Sequence, residues 1–91
     1  MKDTMLSVTH KVGLHARPAS MFVKMANKFS SRIMVRNATT GEAPVDAKSI
    51  ISVLTLGVLQ NHQIAIVADG PDEEAAIQSL SDLVANNFGE A

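Results

Sequence analysis

The residue types able to do chemistry gather in one short stretch, Gly13-Leu14-His15-Ala16-Arg17-Pro18-Ala19. A neutral imidazole offers a nucleophilic lone pair, and an arginine two positions on offers a planar, permanently charged anion clamp. Pro18 lacks an amide proton and fixes φ, so it is tolerated in the first turn of a helix and not deeper. A helix start carries backbone N–H groups with no helical acceptor and a partial positive charge, which together favour an anion. The stretch therefore predicts a helix beginning near Ala16, with His15 at its cap and Arg17 beside a position suited to phosphate. A lone histidine at a helix start is more often a surface or capping side chain. The concentration of Gly13, His15, Arg17 and Pro18 at one seam favours phosphoryl chemistry at His15.

The elements on either side must hold that seam in place. Thr4 to His10 alternates, with Leu6 and Val8 on one side and Ser7 and Thr9 on the other, as in a half-buried strand. After the seam, Ala19, Phe22, Val23, Ala26 and Phe29 recur at helical spacing, and Lys28 falls in the expected last turn before Ser30-Ser31. Arg32 to Asn37 alternates again. Ala38 to Glu42 reads as a turn, and a short strand from Ala43 to Val45 carries Pro44, which places it at a sheet edge. Asp46 and Ser49 are candidate caps for a short helix to about Leu56, with Gly57 as its stop. Ile64 to Ala68 reads as a strand. Asp69-Gly70-Pro71-Asp72-Glu73-Glu74 then opens a helix whose inward stripe is Ile77, Leu80, Val84 and Phe88, ended by Gly89. The order βαββαβα implies an α+β fold, a two-layer open-faced β-sandwich. Its four-stranded antiparallel sheet takes the order 1-4-2-3, with three helices on one face.

Composition narrows the function. Ninety-one residues with 46% apolar content suit a single domain, 1–91, with a packed core. Eight Lys and Arg against nine Asp and Glu leave a net charge of −1, without the basic surplus of a general nucleic-acid binder. Three phenylalanines are the only aromatic residues, and Phe22 and Phe29 are assigned to the core, so stacking on single strands is not expected. With no cysteine, disulfides, thiolate metal sites and a Cys nucleophile are excluded. His10 ends a strand and His62 lies in a loop, and both are expected to be solvated or capping, with no metal site around them. No apolar run approaches the roughly 20 residues that span a bilayer, and Met1 to Met5 lacks the apolar core of a signal peptide. The expectation is a cytoplasmic protein with no membrane partner.

The short helix carries a second signal. Ile50, Ile51, Val53, Leu54 and Leu56 surround it so completely that one core-facing stripe cannot hold them all. Val53 and Leu56 form a natural buried pair, which leaves Ile50, Ile51 and Leu54 partly exposed as a docking patch. Burial of all five under neighbouring loops is the competing reading.

The run from Gly13 to Ala19 resembles the active-site signature of HPr, the histidine phosphocarrier of the bacterial sugar phosphotransferase system. A second run, Ala47-Lys48-Ser49-Ile50-Ile51-Ser52-Val53-Leu54-Thr55-Leu56-Gly57, is similar to that family's other signature, around its regulatory serine. The element order agrees from end to end. The resemblance implies that His15 accepts a phosphoryl group at Nδ1 from phospho-enzyme I, itself charged by phosphoenolpyruvate, and passes it to a histidine of an EIIA domain. It implies that Arg17 and the Ala16 and Arg17 amides hold the phosphoryl group and that no cofactor is needed. It implies that Ile50, Ile51 and Leu54 contact both partners, with Ser20, Met21 and Lys24 extending the surface. Ser49 matches the serine phosphorylated by HPr kinase in many Gram-positive bacteria, although a serine there also suits a helix start. Such a carrier would act as a monomer and would not be an enzyme with its own turnover.

Three features depart from the common pattern. Val12 stands where Asn or Ser is usual, which is similar to the nitrogen-related branch, NPr. The segment Gly70 to Glu74 also resembles that branch, and the loop from Asn37 to Pro44 is a few residues longer than usual. These features leave the pathway open between sugar uptake and nitrogen-related regulation. A pure interaction module that uses the Ile50/Ile51/Leu54 patch without phosphorylation is the reading from another class, and a small-molecule-binding α+β domain is a third.

Overall fold

The computed structural model describes residues 1–89. Its elements are β1 (Lys2–Ser7), α1 (Ala16–Ala26), β2 (Arg32–Asn37), β3 (Val45–Asp46), α2 (Ile50–Leu54), β4 (Gln63–Asp69) and α3 (Glu73–Ala85), followed by a 3-10 turn at Asn87–Gly89. The strands form one antiparallel sheet in the order β1-β4-β2-β3, as the βαββαβα order implies, with all three helices on one face. β4 is central: Leu6 faces Ile64 on one side of it, and Val35 faces Ile66 on the other. The period-2 rule sends Ile64, Ile66 and Ala68 to the helix side, where none of them is exposed, while Ala65 and Val67 lie half-buried on the open side. β3 spans only two residues, after Pro44, at the sheet edge.

The core lies between sheet and helices. Phe22 from α1, Leu80 from α3 and Val53 from α2 meet Ile33, Val35, Ile64 and Ile66 from the sheet. A side chain such as Phe22, fully buried, is worth about 1.5–3 kcal/mol relative to exposure. α3 packs on β1 and β4, and α1 packs on both α2 and α3. Among the described residues, no helix is long and apolar enough to cross a membrane.

Several boundaries differ from the sequence expectation. β3 pairs over Val45–Asp46 rather than Ala43 to Val45, because Pro44 has no N–H for the ladder, and α2 stops at Leu54 rather than near Leu56. β1 ends at Ser7, yet its inward series continues through Val8, whose amide donates to His62 O (2.9 Å) and whose carbonyl accepts from the Asn61 amide (2.6 Å), to His10. α1 stops at Ala26 with Asn27 as its C-cap, so Lys28 and Phe29 fall outside the helix, although Phe29 still packs against the core from the loop. Asn27 is what ends it: its amide donates to Val23 O (2.9 Å) and to Lys48 O (3.2 Å), tying the helix end to the turn before α2. Pro71 precedes the helix instead of entering it, because Asp72 is the N-cap. Phe88 belongs to the 3-10 turn and reaches the core through a left-handed backbone, φ 58°.

Asp72 does not cap its own helix with its side chain. Its carboxylate crosses to the α1–β2 connection, accepting from the Ser30 and Ser31 amides (2.9 Å each) and from the Ser31 hydroxyl. These donors, the Ser31 hydroxyl foremost, lower its pKa from 3.8 to about 2. A carboxyl whose pKa falls on folding stabilises the fold fully above its ordinary value and loses that contribution as pH drops through the folded value. The gap in thermal midpoint between the wild type and Asp72→Ala is therefore expected to be constant above pH 5 and to close between pH 4 and pH 2. A gap independent of pH would show that the ionised carboxylate is not the stabilising species.

Asn37 is the other polar anchor and is fully buried. Its Nδ2 donates to Leu56 O (3.2 Å) and lies 3.1 Å from His62 Nδ1, while its Oδ1 accepts from the Thr39 and Thr40 amides (3.0 and 3.2 Å). One side chain thus joins the end of α2 to the start of the long loop.

Candidate functional site

His15 is the N-cap residue of α1, with extended backbone (φ −83°, ψ −170°), and its carbonyl accepts the first helical bond from Ala19 (2.9 Å). The imidazole does not cap the helix. The side chain is therefore not committed to holding the helix end, and it is exposed. Ala16, Arg17 and Pro18 form the first turn, where Pro18 has no N–H to direct at an anion. The amides at the helix mouth beside His15 are thus those of Ala16 and Arg17. The Arg17 side chain is exposed in the same turn, while Pro18 and Ala19 are buried and anchor it.

The approach to His15 is held by backbone contacts. Gly13 takes φ +65°, and its amide donates to His10 O (2.9 Å). The Leu14 amide donates to Val58 O (3.0 Å), which ties the site to the chain leaving α2. Leu14 itself is 4% exposed, so the residue before the histidine is a core plug.

α2 lies against α1: its start is tied to the C-terminal end of α1 by the Asn27–Lys48 bond (3.2 Å), and the chain leaving it meets Leu14, next to His15, at Val58 O. Its apolar residues divide as their number requires: Val53 and Leu56 are buried, whereas Ile50 is 37% exposed, Leu54 42% and Ile51 74%. Met21, 40% exposed, and the exposed Lys24 lie on α1, and Ser20 is half-buried. Ser49 is the N-cap of α2, and its Oγ accepts from the Ser52 amide (3.3 Å). That is the helix-start role its residue type also suits.

Of the other two histidines, His62 is half-buried and caps its turn, with Nδ1 accepting from the Leu59 amide (3.1 Å). His10 takes the capping alternative of the sequence expectation, its Nδ1 accepting from the Val12 amide (3.3 Å), and is not solvated. It is 8% exposed, and its ring lies against His15, with centroids 5.5 Å apart. The missed signal was the period-2 series Leu6, Val8, His10, which runs inward past the end of the hydrogen-bonded strand.

The fold and the site together define an open-faced sandwich that presents a histidine at a helix mouth beside an apolar helix. The chain belongs to the HPr family, the phosphocarriers of the phosphotransferase system: the family model for the PTS HPr component phosphorylation site matches residues 3–86. The chain is similar to HPr-C-His from Thermoanaerobacter tengcongensis in its crystal structure, with a TM-score of 0.93 and 45% identity over 100% of this chain and 99% of that one. It is 47% identical over 78 residues to a multiphosphoryl transfer protein of Vibrio cholerae, covering 86% of this chain and 20% of that protein. With a multiphosphoryl transfer protein of Haemophilus influenzae it shares 40% identity over 84 residues, 92% of this chain and 17% of that protein. The chain thus spans about a fifth of the length of these curated relatives.

Proposed function

We propose that residues 1–91 act as a single carrier unit, in which His15 Nδ1 takes a phosphoryl group from phospho-enzyme I and gives it to a histidine of an EIIA domain. The observation that carries this reading is His15 itself, exposed at the cap of α1 with its imidazole unused in capping. The Nδ1 lone pair attacks phosphorus, a nitrogen–phosphorus bond forms, and the bond to the donor's atom breaks, its electron pair leaving with the donor. The product dianion sits at the mouth of α1, where the Ala16 and Arg17 amides, the helix dipole and the Arg17 guanidinium offset its charge. Reversing the same step on EIIA restores the imidazole, so the protein carries the group without turnover of its own and without a cofactor.

Donor and acceptor must both reach one nitrogen, which calls for a protruding site and a shared docking surface rather than a pocket. Ile50, Ile51 and Leu54 on α2, extended by Ser20, Met21 and Lys24 on α1, supply that surface. Phosphorylation of Ser49 by an HPr kinase would place a dianion beside Ile50 and Ile51 and oppose burial of that apolar patch against a partner. The carrier works as a monomer in the cytoplasm. Val12, 54% exposed just before the site, favours the nitrogen-related branch as a second reading, with the same carrier chemistry and a different EIIA.

The test is to incubate the protein with phosphoenolpyruvate and enzyme I. An acid-labile, base-stable phosphoryl adduct is expected in the wild type and not in His15→Ala. Absence of the adduct, or its survival in the variant, would refute the carrier in favour of a pure interaction module.

A further inference from the structure

His10 is buried behind the residue proposed to carry the phosphoryl group, and a buried imidazole must find its partners inside the protein. Its Nδ1 accepts from the Val12 amide (3.3 Å), and its carbonyl accepts from the Gly13 amide (2.9 Å). Ring and backbone are thus both tied into the turn that leads to His15. On one flank the ring meets the edge of Phe88, with centroids 6.1 Å apart at 68°. On another it meets the His15 ring, with centroids 5.5 Å apart at 48°. Both separations lie within the range of favourable aromatic pairs. Phe88 is 1% exposed and follows Asn87 in a left-handed backbone (φ 58° and 56°), so the chain bends at that point to drive the ring inward. The contacts run from a buried Phe88 through a buried His10 to an exposed His15.

The geometry points to His10 as a positioning residue for phosphoryl transfer at His15, an inference that rests on the carrier reading. The His15 side chain makes no cap bond to fix its torsions, so packing must restrict them. The His10 plane, wedged between Phe88 and the Val12 amide, limits where the His15 ring can turn. It holds the outward nitrogen in one orientation before either partner arrives. Ordering a nucleophile in advance raises the rate of the step without changing how the partner is bound.

Two variants of the full chain test this. In His10→Val an apolar residue continues the inward series after Val8 but supplies no ring, and in His10→Phe the ring plane is kept without the Nδ1 acceptor. Three-bond NMR couplings at the His15 Cβ, measured with no donor present, are expected to report one dominant rotamer in the wild type and in His10→Phe. In His10→Val they are expected to move towards rotamer-averaged values. With enzyme I as donor, His10→Val should lose about fivefold in kcat at unchanged KM, and His10→Phe should stay within about twofold of the wild type. Wild-type couplings in His10→Val, a kcat in that variant within twofold of wild type, or failure of His10→Phe to restore transfer would each overturn the proposal. A wild-type protein that takes up no phosphoryl group would instead refute the carrier reading, with the couplings still deciding whether His10 orders His15.

Discussion

Gly13→Ala is expected to destabilise the protein by about 2–4 kcal/mol, the sum of a left-handed backbone forced on a residue with a Cβ and an overpacked contact. At φ +65° the new methyl would lie 2.8 Å from Leu59 Cα and closer still to Val58 O, both of them backbone atoms. Backbone has no rotamer with which to yield, so the segment after α2 must move. Val58 O is also the acceptor for the Leu14 amide, and Leu14 is the plug immediately before His15. The same shift therefore loosens the histidine, and the rate of phosphoryl uptake should fall together with stability. Denaturant midpoints and initial uptake rates measure the two. A variant within 0.5 kcal/mol of wild type would show that the close approach of Gly13 to Val58 is not maintained in solution.

Ile51→Glu separates docking from folding. Ile51 is 74% exposed, so the fold gains little from it, and exposed substitutions generally change stability by less than about 0.5 kcal/mol. At the centre of an interface, replacing such a residue by a charge leaves a desolvated carboxylate, a loss on the scale of a binding hot spot. The expected result is a thermal midpoint close to wild type and a fall of about thirtyfold in kcat/KM for enzyme I and for EIIA alike. Unchanged transfer with both partners would remove α2 from the proposed docking surface.

Much of this arrangement is legible in the sequence because it rests on local rules. Arg32 to Asn37 alternates cleanly and forms β2 over those six residues; Gly13 and Pro18 bracket the start of α1; five apolar residues on a five- to seven-residue helix force some of them outward. The rest depends on groups distant in sequence. Phe29 keeps the helical spacing of α1 but contributes to the core from beyond its end, because Asn27 closes the helix through the distant Lys48 carbonyl. Asp72, Glu73 and Glu74 read as acids set against the N-terminal dipole of α3, which hides the bonds of Asp72 to Ser30 and Ser31. Asn37 continues the inward series of Ile33 and Val35, but its residue type suggests solvent, and the Leu56 carbonyl and His62 ring that satisfy it are distant in sequence. His10 is the instructive case. Its place in the period-2 series points inward, its residue type at the end of the strand points to solvent or a cap, and packing against Phe88 decides between them.

The most direct measurement of the central claim is the site of the phosphoryl group itself. Protein labelled with nitrogen-15 in histidine is charged with phosphoenolpyruvate and enzyme I, and the phosphorus–nitrogen coupling is then recorded. A single coupling to Nδ1 of His15, lost on addition of a cognate EIIA, is the predicted result. A phosphoryl group on His10 or His62, on His15 Nε2 or on a serine would contradict the account, as would one that stays on His15 in the presence of its acceptor.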